Sequence, residues 1–172
     1  MQEIYIERTA EVLKNKNRLE KELKIKISNK GKNIFVDGSA ENEFLAIEVL
    51  EAIKTGFSAD RALELKQEGM MLQRVDIKDI TKRNDLERVR GRIIGKGGRT
   101  LQTLHNLTNC NISLHDNEIG IIGDAEQIED AVQALTSLVQ GSKQSNVYAR
   151  LEKLKKGKRL EENLPIKNEL DN

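Results

Sequence analysis

The chain has 172 residues, 37% of them hydrophobic and 33% charged, and its net charge at neutral pH is +1. This composition indicates a polar globular protein of one or two small domains. Only five residues are aromatic, which weighs against an RRM because that fold stacks bases on exposed aromatic rings. No apolar run approaches the roughly 20 residues of a membrane span and no signal-peptide pattern opens the chain, so we expect a cytoplasmic protein without a membrane partner.

The first half of the chain contains short alternating stretches, typical of strands, between amphipathic ones. The pattern predicts a strand over residues 3–6, a helix over 10–23, strands over 24–27 and 34–36, and helices over 39–55 and 58–68. Ser39 is expected to cap the helix over 39–55, and Gly56 to end it. Four apolar residues of this helix are predicted to face the core: Phe44, Ile47, Leu50 and Ile53.

The second half repeats this order of elements. The pattern predicts strands over residues 71–77, 111–114 and 119–122, helices over 98–108 and from 123 onward, and a last helix capped by Ser145. At an offset of 85 residues, Gly38-Ser39-Ala40-Glu41 corresponds to Gly123-Asp124-Ala125-Glu126, and Leu50 to Leu135. We interpret the chain as an internal duplication of a β-α-α-β-β-α unit.

Residues 95–98, Gly-Lys-Gly-Gly, are the most informative stretch of the chain. They follow the apolar pair Ile93-Ile94 and precede leucines at helical spacing, which predicts a loop that leads into a helix N-terminus. A ligand backbone can approach glycines closely, and a helix N-terminus offers free N–H groups to an anion. Five basic residues surround the turn: Arg88, Arg90, Arg92, Lys96 and Arg99. The pattern favours a phosphodiester ligand over the alternative, a tight turn with solvated arginines.

Other phosphate-binding loops do not fit this spacing. A Walker-type loop needs Ser or Thr directly after its Gly-Lys pair, where this chain has Gly97, and a dinucleotide fingerprint would need glycine in place of Thr100. The Ile-Ile-Gly-x-x-Gly pattern instead matches the KH domain, whose loop clamps about four nucleotides. We therefore predict an α+β fold of two tandem type I KH units, each a three-stranded antiparallel sheet with helices on one face.

The predicted domains differ in their loops. Residues 1–70 form a degenerate KH unit plus a connecting helix, residues 71–141 form the KH unit with the glycine loop, and residues 142–172 form a basic helix and a tail. In the first unit the loop position falls at residues 14–17, Lys-Asn-Lys-Asn, which contain no glycine. Because side chains there would keep a nucleic-acid backbone at a distance, we predict that this unit is a packing or protein-binding module.

Positive charge is concentrated in two stretches. Residues 82–100 contain seven basic and two acidic side chains, and residues 150–159 contain six basic and one acidic. Such local clusters are expected of a nucleic-acid footprint, although the second could equally be a solvated helix face. Ten residues are predicted to bind RNA: Arg90, Arg92, Ile94, Gly95, Lys96, Gly97, Gly98, Arg99, Leu101 and Ile112.

We expect single-stranded RNA to lie between the glycine loop and the second strand of the second unit. Residues 95–98 would hold phosphates, with Arg92 and Arg99 as ionic support. Four residues are candidates for an apolar floor beneath the bases: Ile94, Leu101, Ile112 and Ile121. Core packing is the alternative for these side chains, and for Leu101 and Ile121 it has at least equal weight.

Catalytic and metal-binding residues are scarce. Cys110 is the only cysteine, so we expect neither a disulfide nor a cysteine-based zinc site, and we place it in the core. His105 and His115, the only histidines, lack a carboxylate pair or nucleophile at recognisable spacing. We therefore predict no enzyme activity and no cofactor. A protein–protein adaptor with incidental RNA affinity and, with less support, an RNA-processing enzyme remain as alternatives.

The glycine loop and two further motifs together resemble a known family. Residues 86–100 read Leu-Glu-Arg-Val-Arg-Gly-Arg-Ile-Ile-Gly-Lys-Gly-Gly-Arg-Thr, residues 121–124 read Ile-Ile-Gly-Asp, and residues 141–148 read Gly-Ser-x-x-Ser-x-Val-Tyr. This combination resembles the archaeal relatives of the partner-of-Nob (Pno, or Dim) ribosome-assembly proteins. The resemblance implies a small-subunit assembly factor that binds the 3′ region of pre-16S rRNA beside the Nob endonuclease. It assigns no role to the lysine-rich residues 151–159 or to the tail after Pro165.

Overall fold

The structure is a computed structural model that describes residues 1–165, and its first unit is built on a three-stranded antiparallel sheet. Its strands are β1 (Gln2–Tyr5), β2 (Lys26–Lys30) and β3 (Asn33–Asp37), in the spatial order β1-β3-β2. Its helices are α1 (Ala10–Lys14), α2 (Lys16–Leu23) and α3 (Ala40–Lys54). The helix predicted over residues 10–23 is therefore two helices that meet at Asn15.

The second unit repeats the sheet in the order β4-β6-β5. A short connection, α4 (Ala59–Ala62) and the 3₁₀ turn Leu63–Lys66, leads into it in place of the predicted continuous helix. Its strands are β4 (Met71–Asp76), β5 (Asn111–His115) and β6 (Glu118–Gly123). Its helices are α5 (Ile77–Ile80), α6 (Leu86–Ile94), α7 (Arg99–Thr108), α8 (Ala125–Val139) and α9 (Gln144–Glu162).

The predicted duplication is visible in α3 and α8. Both helices have 15 residues and begin 85 positions apart. Each has the side-chain cap that the sequence predicts: Ser39 Oγ accepts from Asn42 N at 3.3 Å, and Asp124 Oδ1 accepts from Gln127 N at 2.8 Å. The α+β architecture with two antiparallel three-stranded sheets agrees with the prediction.

Each sheet buries one face under the helices of its own unit, but one side chain predicted for this core is exposed. Phe44 of α3 is 71% exposed, whereas Leu50 and Ile53 are buried. The prediction placed four residues spaced three apart on one face, but an α-helix has about 3.6 residues per turn, so this spacing drifts around the helix. Nine residues therefore rotate by about half a turn, which leaves Phe44 on the side of α3 opposite Ile53.

The other face of the second sheet packs against the first unit, and Gly120 makes this contact possible. A Cβ atom at Gly120 would lie 2.5 Å from Thr55 Oγ1 and 2.8 Å from Phe57 Cε2. Next to it, Ser113 Oγ donates to the Thr55 carbonyl at 2.7 Å. Ile122, on the same face, is fully buried and belongs to the core of the first unit. Both faces of β6 are therefore covered, one by the helices of its own unit and the other by the first unit.

The last helix begins two residues earlier than predicted. Lys143, not Ser145, occupies the N-cap of α9, and Ser145 lies inside the helix. The chain turns earlier because Gly141 has φ +102° and the Ser142 carbonyl accepts a hydrogen bond from the Arg92 guanidinium at 2.7 Å. Residues 166–172 of the predicted tail lie outside the described residues. Within residues 1–165, no helix has the length and apolar character needed to cross a bilayer.

Candidate nucleic-acid interface

The glycine loop joins α6 to α7, as the sequence predicts. The backbone leaves α6 after Ile94, makes a 3₁₀ turn over Lys96–Gly98, and enters α7 at Arg99. Gly97 and Gly98 have φ values of +63° and +76°, in the left-handed region that glycine adopts without a Cβ penalty. Gly98 is the N-cap of α7, and no side chain caps this helix. The positive end of the helix dipole is therefore directed at the loop.

The glycines of the loop have two different roles. A Cβ atom at Gly95 would lie 2.1 Å from Thr100 Oγ1 and 2.7 Å from the Thr100 nitrogen, so Gly95 is required for packing within the loop. At Gly97 and Gly98, by contrast, no atom of residues 1–165 lies within 4 Å of the position that a Cβ would take. These two glycines therefore leave open space in which a ligand backbone can approach the main chain.

The four predicted cations fall into two pairs. Lys96 and Arg99 are exposed, and neither side chain makes a hydrogen bond or ion pair within residues 1–165. Arg92 instead donates to the Ser142 carbonyl, and Arg90 Nη1 donates to Asn117 Oδ1, both at 2.7 Å. The structure therefore brings Lys96 and Arg99 to the loop as unpaired charges, whereas Arg90 and Arg92 hold protein segments together.

The apolar residues predicted to line the groove are not equivalent. Ile94 is 38% exposed beside the loop. Leu101 on α7 and Ile112 on β5 are half-buried and pack against the core of the second unit, so part of each side chain remains accessible. Ile121 is fully buried on the central strand β6, where α-helices cover it, and its suggested place in the floor is wrong.

The polar residues around Cys110 serve the fold. Burial raises the pKa of the Cys110 thiol to about 11, so the thiol is protonated and unreactive near neutral pH. His105 Nδ1 lies 2.9 Å from the Cys110 carbonyl and joins the end of α7 to the start of β5. The prediction that Cys110 is a core residue is confirmed.

A three-residue cluster at the junction of the units could in principle hold a metal ion. Ligand atoms of Glu7, His115 and Asp116 lie within 4.8 Å of one another. The two carboxylates are exposed, with 67% and 81% of their side-chain surfaces accessible, and the Lys32 ammonium lies 3.9 Å from Glu7. The cavity at this cluster is lined by acidic and basic residues in nearly equal number, so no strong negative field attracts a divalent cation. The exposed carboxylates and the neighbouring lysine form a surface ion-pair cluster, and the cluster supports no metal assignment.

The corresponding position in the first unit has no protruding loop. Asn15 lies between α1 and α2, and its side-chain amide donates to the Glu11 carbonyl at 2.8 Å. The Glu11 carboxylate in turn accepts from the Ala59 backbone N–H at 2.8 Å. These two hydrogen bonds fix the junction of α1 and α2 to the connection between the units. A rigid junction of this kind is consistent with the packing role predicted for the first unit.

Two long-range hydrogen bonds behind the glycine loop are not predictable from the sequence. Gln144 Nε2 at the start of α9 donates to Thr100 Oγ1 at 3.0 Å, and Thr100 is the residue on which Gly95 packs. The bond from Arg92 to Ser142 fixes the same end of α9 to α6. These contacts join segments about 44 and 50 positions apart, and local patterns carry no signal for such polar pairs.

The chain is similar in sequence to KH-domain proteins of archaea and animals. It is 30% identical over 145 residues to the KH domain-containing protein MJ0443 of Methanocaldococcus jannaschii, which covers 80% of this chain and 64% of that protein. It is 40% identical over 105 residues to the RNA-binding protein pno1 of Drosophila pseudoobscura pseudoobscura, which covers 59% of this chain and 44% of that protein. The chain thus spans less than two thirds of the length of these relatives.

Two further comparisons identify the family. The model of the eukaryotic type KH domain (KH-domain type I) of the PNO1 proteins matches residues 71–156. The crystal structure of an a/eIF2alpha–aDim2p–rRNA complex from Pyrococcus horikoshii OT3 contains a chain 32% identical to this one, with a TM-score of 0.84 and coverage of 91% of this chain and 94% of that chain. The chain therefore belongs to the Pno/Dim2 family of KH-domain proteins.

Proposed function

We propose that the protein binds single-stranded RNA between the glycine loop and β5 of the second unit. The observation that carries this proposal is the open main chain at Gly97 and Gly98 beside the unpaired charges of Lys96 and Arg99. Phosphate oxygens can reach the loop because no Cβ blocks them, and the two cations and the helix dipole compensate their charge. A neutral or basic ligand would gain no electrostatic attraction at this site.

The bases would lie against the side of the groove formed by β5. This strand is at the edge of its sheet, so the N–H and C=O groups on its outer side are free to pair with a ligand. Ile94, Leu101 and Ile112 offer apolar contact to the bases, and the β5 backbone offers hydrogen bonds to their Watson–Crick edges. Base contacts at β5, separate from phosphate contacts at the glycine loop, support sequence-specific recognition in addition to phosphate binding.

The biological role proposed is assembly of the small ribosomal subunit. A similar chain stands in a complex with rRNA, which supports an rRNA ligand for this protein. By family resemblance we take the 3′ region of 16S or pre-16S rRNA as the binding site, and a Nob-type endonuclease as the enzyme that works beside it. We propose that the protein acts in the cytoplasm, catalyses no reaction itself, and uses two tandem type I KH units.

Mapping by NMR tests this proposal at the level of residues. A hexanucleotide from the 3′ end of 16S rRNA is titrated into the labelled protein while backbone amide shifts are recorded. We expect the largest shifts over residues 95–101 and 111–114. Large shifts confined to the first unit, or no saturable shifts at all, would contradict RNA binding by the glycine loop.

A second candidate function, protein binding, is favoured by the outer face of the first sheet. Tyr5 is 52% exposed there, and Phe35 lies diagonally across from it on the central strand, opposite Glu3. Phe35 corresponds to Gly120 at the offset of 85 residues, and Gly120 lies against the other unit. We propose that this open face docks a protein. If docking were the main function, native and scrambled RNA would bind with equal, weak affinity.

A further inference from the structure

The outer side of α9 carries unpaired positive charge, and we propose that it binds RNA phosphates outside the segment held by the glycine loop. The residues concerned, named here the outer basic face, are Lys153, Lys156 and Arg159. This inference rests on the RNA-binding function proposed above and extends it, because a KH loop by itself holds only about four nucleotides.

The inner side of α9 is fixed to the second unit. Val147 and Leu151 are 6% and 4% exposed. Lys155 Nζ donates to the Asn106 carbonyl at 2.8 Å, and Lys158 Nζ donates to Asp130 Oδ2 at 2.6 Å. Half of the basic residues in this stretch therefore serve packing: Arg150, which donates to Gln133 at 3.0 Å, Lys155 and Lys158.

The outer basic face has no such partners. All three side chains are exposed, and none makes a hydrogen bond or ion pair within the described part of the chain, residues 1–165. Helical geometry places Lys153 and Lys156 on the side of α9 opposite Leu151, and Arg159 on the flank next to Lys156, one turn further along. Glu152 is the only acidic residue from position 150 to 159. A packing role accounts for the inner lysines and leaves the outer ones unexplained.

The position of α9 relative to the loop identifies the ligand. Gln144 contacts Thr100 at the loop, and Lys155 contacts Asn106 near the end of α7, so the two helices run side by side in the same direction. With about 1.5 Å per residue, Lys153 and Lys156 lie about 14 and 18 Å along α9 from Gln144. RNA that continues past the glycine loop therefore meets a second positive surface on the same unit, and phosphate is the group that such unpaired ammonium groups bind.

The test compares short and extended RNA. The probes are a hexanucleotide from the 3′ end of 16S rRNA, the same hexanucleotide with ten unpaired nucleotides added, and the same hexanucleotide joined to a hairpin. The K153Q/K156Q variant removes two charges and keeps helix propensity, since Gln and Lys are similar helix formers. The control K30Q/K32Q removes two exposed charges from the first unit. Circular dichroism verifies that the helix content of each variant is that of the wild type.

We expect K153Q/K156Q to bind the hexanucleotide with an affinity within about twofold of wild type. On one of the extended probes its affinity should fall about fivefold or more. The slope of log affinity against log salt concentration for that probe should be smaller by about 1.5. The probe that responds identifies an unpaired strand or a duplex as the ligand. Equal affinities of variant and wild type for both extended probes, or the same loss in K30Q/K32Q, would overturn the inference. Failure of the wild type to bind the hexanucleotide would instead refute the proposed function itself.

Discussion

Replacing Gly97 with aspartate is expected to weaken RNA binding severely while the protein remains folded. Gly97 has φ +63° and ψ +25°, and in the described part of the chain no atom lies within 4 Å of its Cβ position. Aspartate adopts this backbone conformation more readily than most residues, so the free energy of unfolding should fall by no more than about 1–2 kcal/mol. The new side chain meets no protein atom and projects into the space assigned to the phosphates.

The loss of RNA affinity follows from charge and distance. A carboxylate about 5 Å from a phosphate is repelled by about 1 kcal/mol in water and by about 3 kcal/mol at the effective dielectric constant of a protein surface. Together with the steric block to close approach, we expect a loss of about 2–4 kcal/mol, or about 30- to 1,000-fold in Kd.

A matched variant separates binding from strain. Gly31 in the turn between β2 and β3 has φ +62°, and likewise no atom among the described residues lies within 4 Å of its Cβ position. Gly31→Asp therefore places the same side chain at a similar positive φ in the first unit. Fluorescence polarisation with the 16S rRNA hexanucleotide gives the affinities, and thermal unfolding gives the stabilities. If Gly97→Asp kept its affinity within about 1 kcal/mol of wild type, or if Gly31→Asp lost as much, the loop would not be the phosphate clamp.

Three further substitutions or treatments test the packing around the site. Gly95→Ala brings a Cβ to 2.1 Å from Thr100 Oγ1, so we expect urea denaturation to show a loss of about 2–4 kcal/mol, and unchanged stability would disprove the close contact. Gly120→Val forces a side chain against Thr55, 2.5 Å from its Cβ position, and should cost at least about 2 kcal/mol in the same assay; a neutral result would mean that the units are not packed together as described. Cys110, with its pKa raised to about 11, should react with a thiol reagent at pH 8 only after unfolding, and rapid reaction of the native protein would contradict its burial.

The sequence predicts much of the fold because the relevant signals are local. The caps Ser39 and Asp124 mark the starts of α3 and α8, since each side chain accepts from a backbone N–H three residues on. The glycines of the loop mark a turn with positive φ. Such features depend on neighbours within a few positions, so spacing alone is sufficient to place the glycine loop before α7.

The remaining features depend on contacts between distant residues. Gly120 must be glycine because Thr55 and Phe57, from the other unit, occupy the space of its side chain. One sequence signal was available: Ile121 and Ile122 are adjacent and both apolar, which indicates a strand covered on both faces. The partners of Arg90 and Arg92 gave no comparable signal, because a long side chain on a surface helix can reach either the protein or a ligand.

A binding titration with two RNAs tests the central claim most directly. The wild-type protein is titrated with a short single-stranded RNA from the 3′ end of 16S rRNA and with a scrambled RNA of the same composition, each at two salt concentrations. The account predicts tighter binding of the native sequence, by about tenfold or more, and a preference that persists at the higher salt concentration because base contacts do not depend on counterion release. Equal affinity for both RNAs, lost together at higher salt, would contradict base readout and leave a basic surface on a protein-binding module.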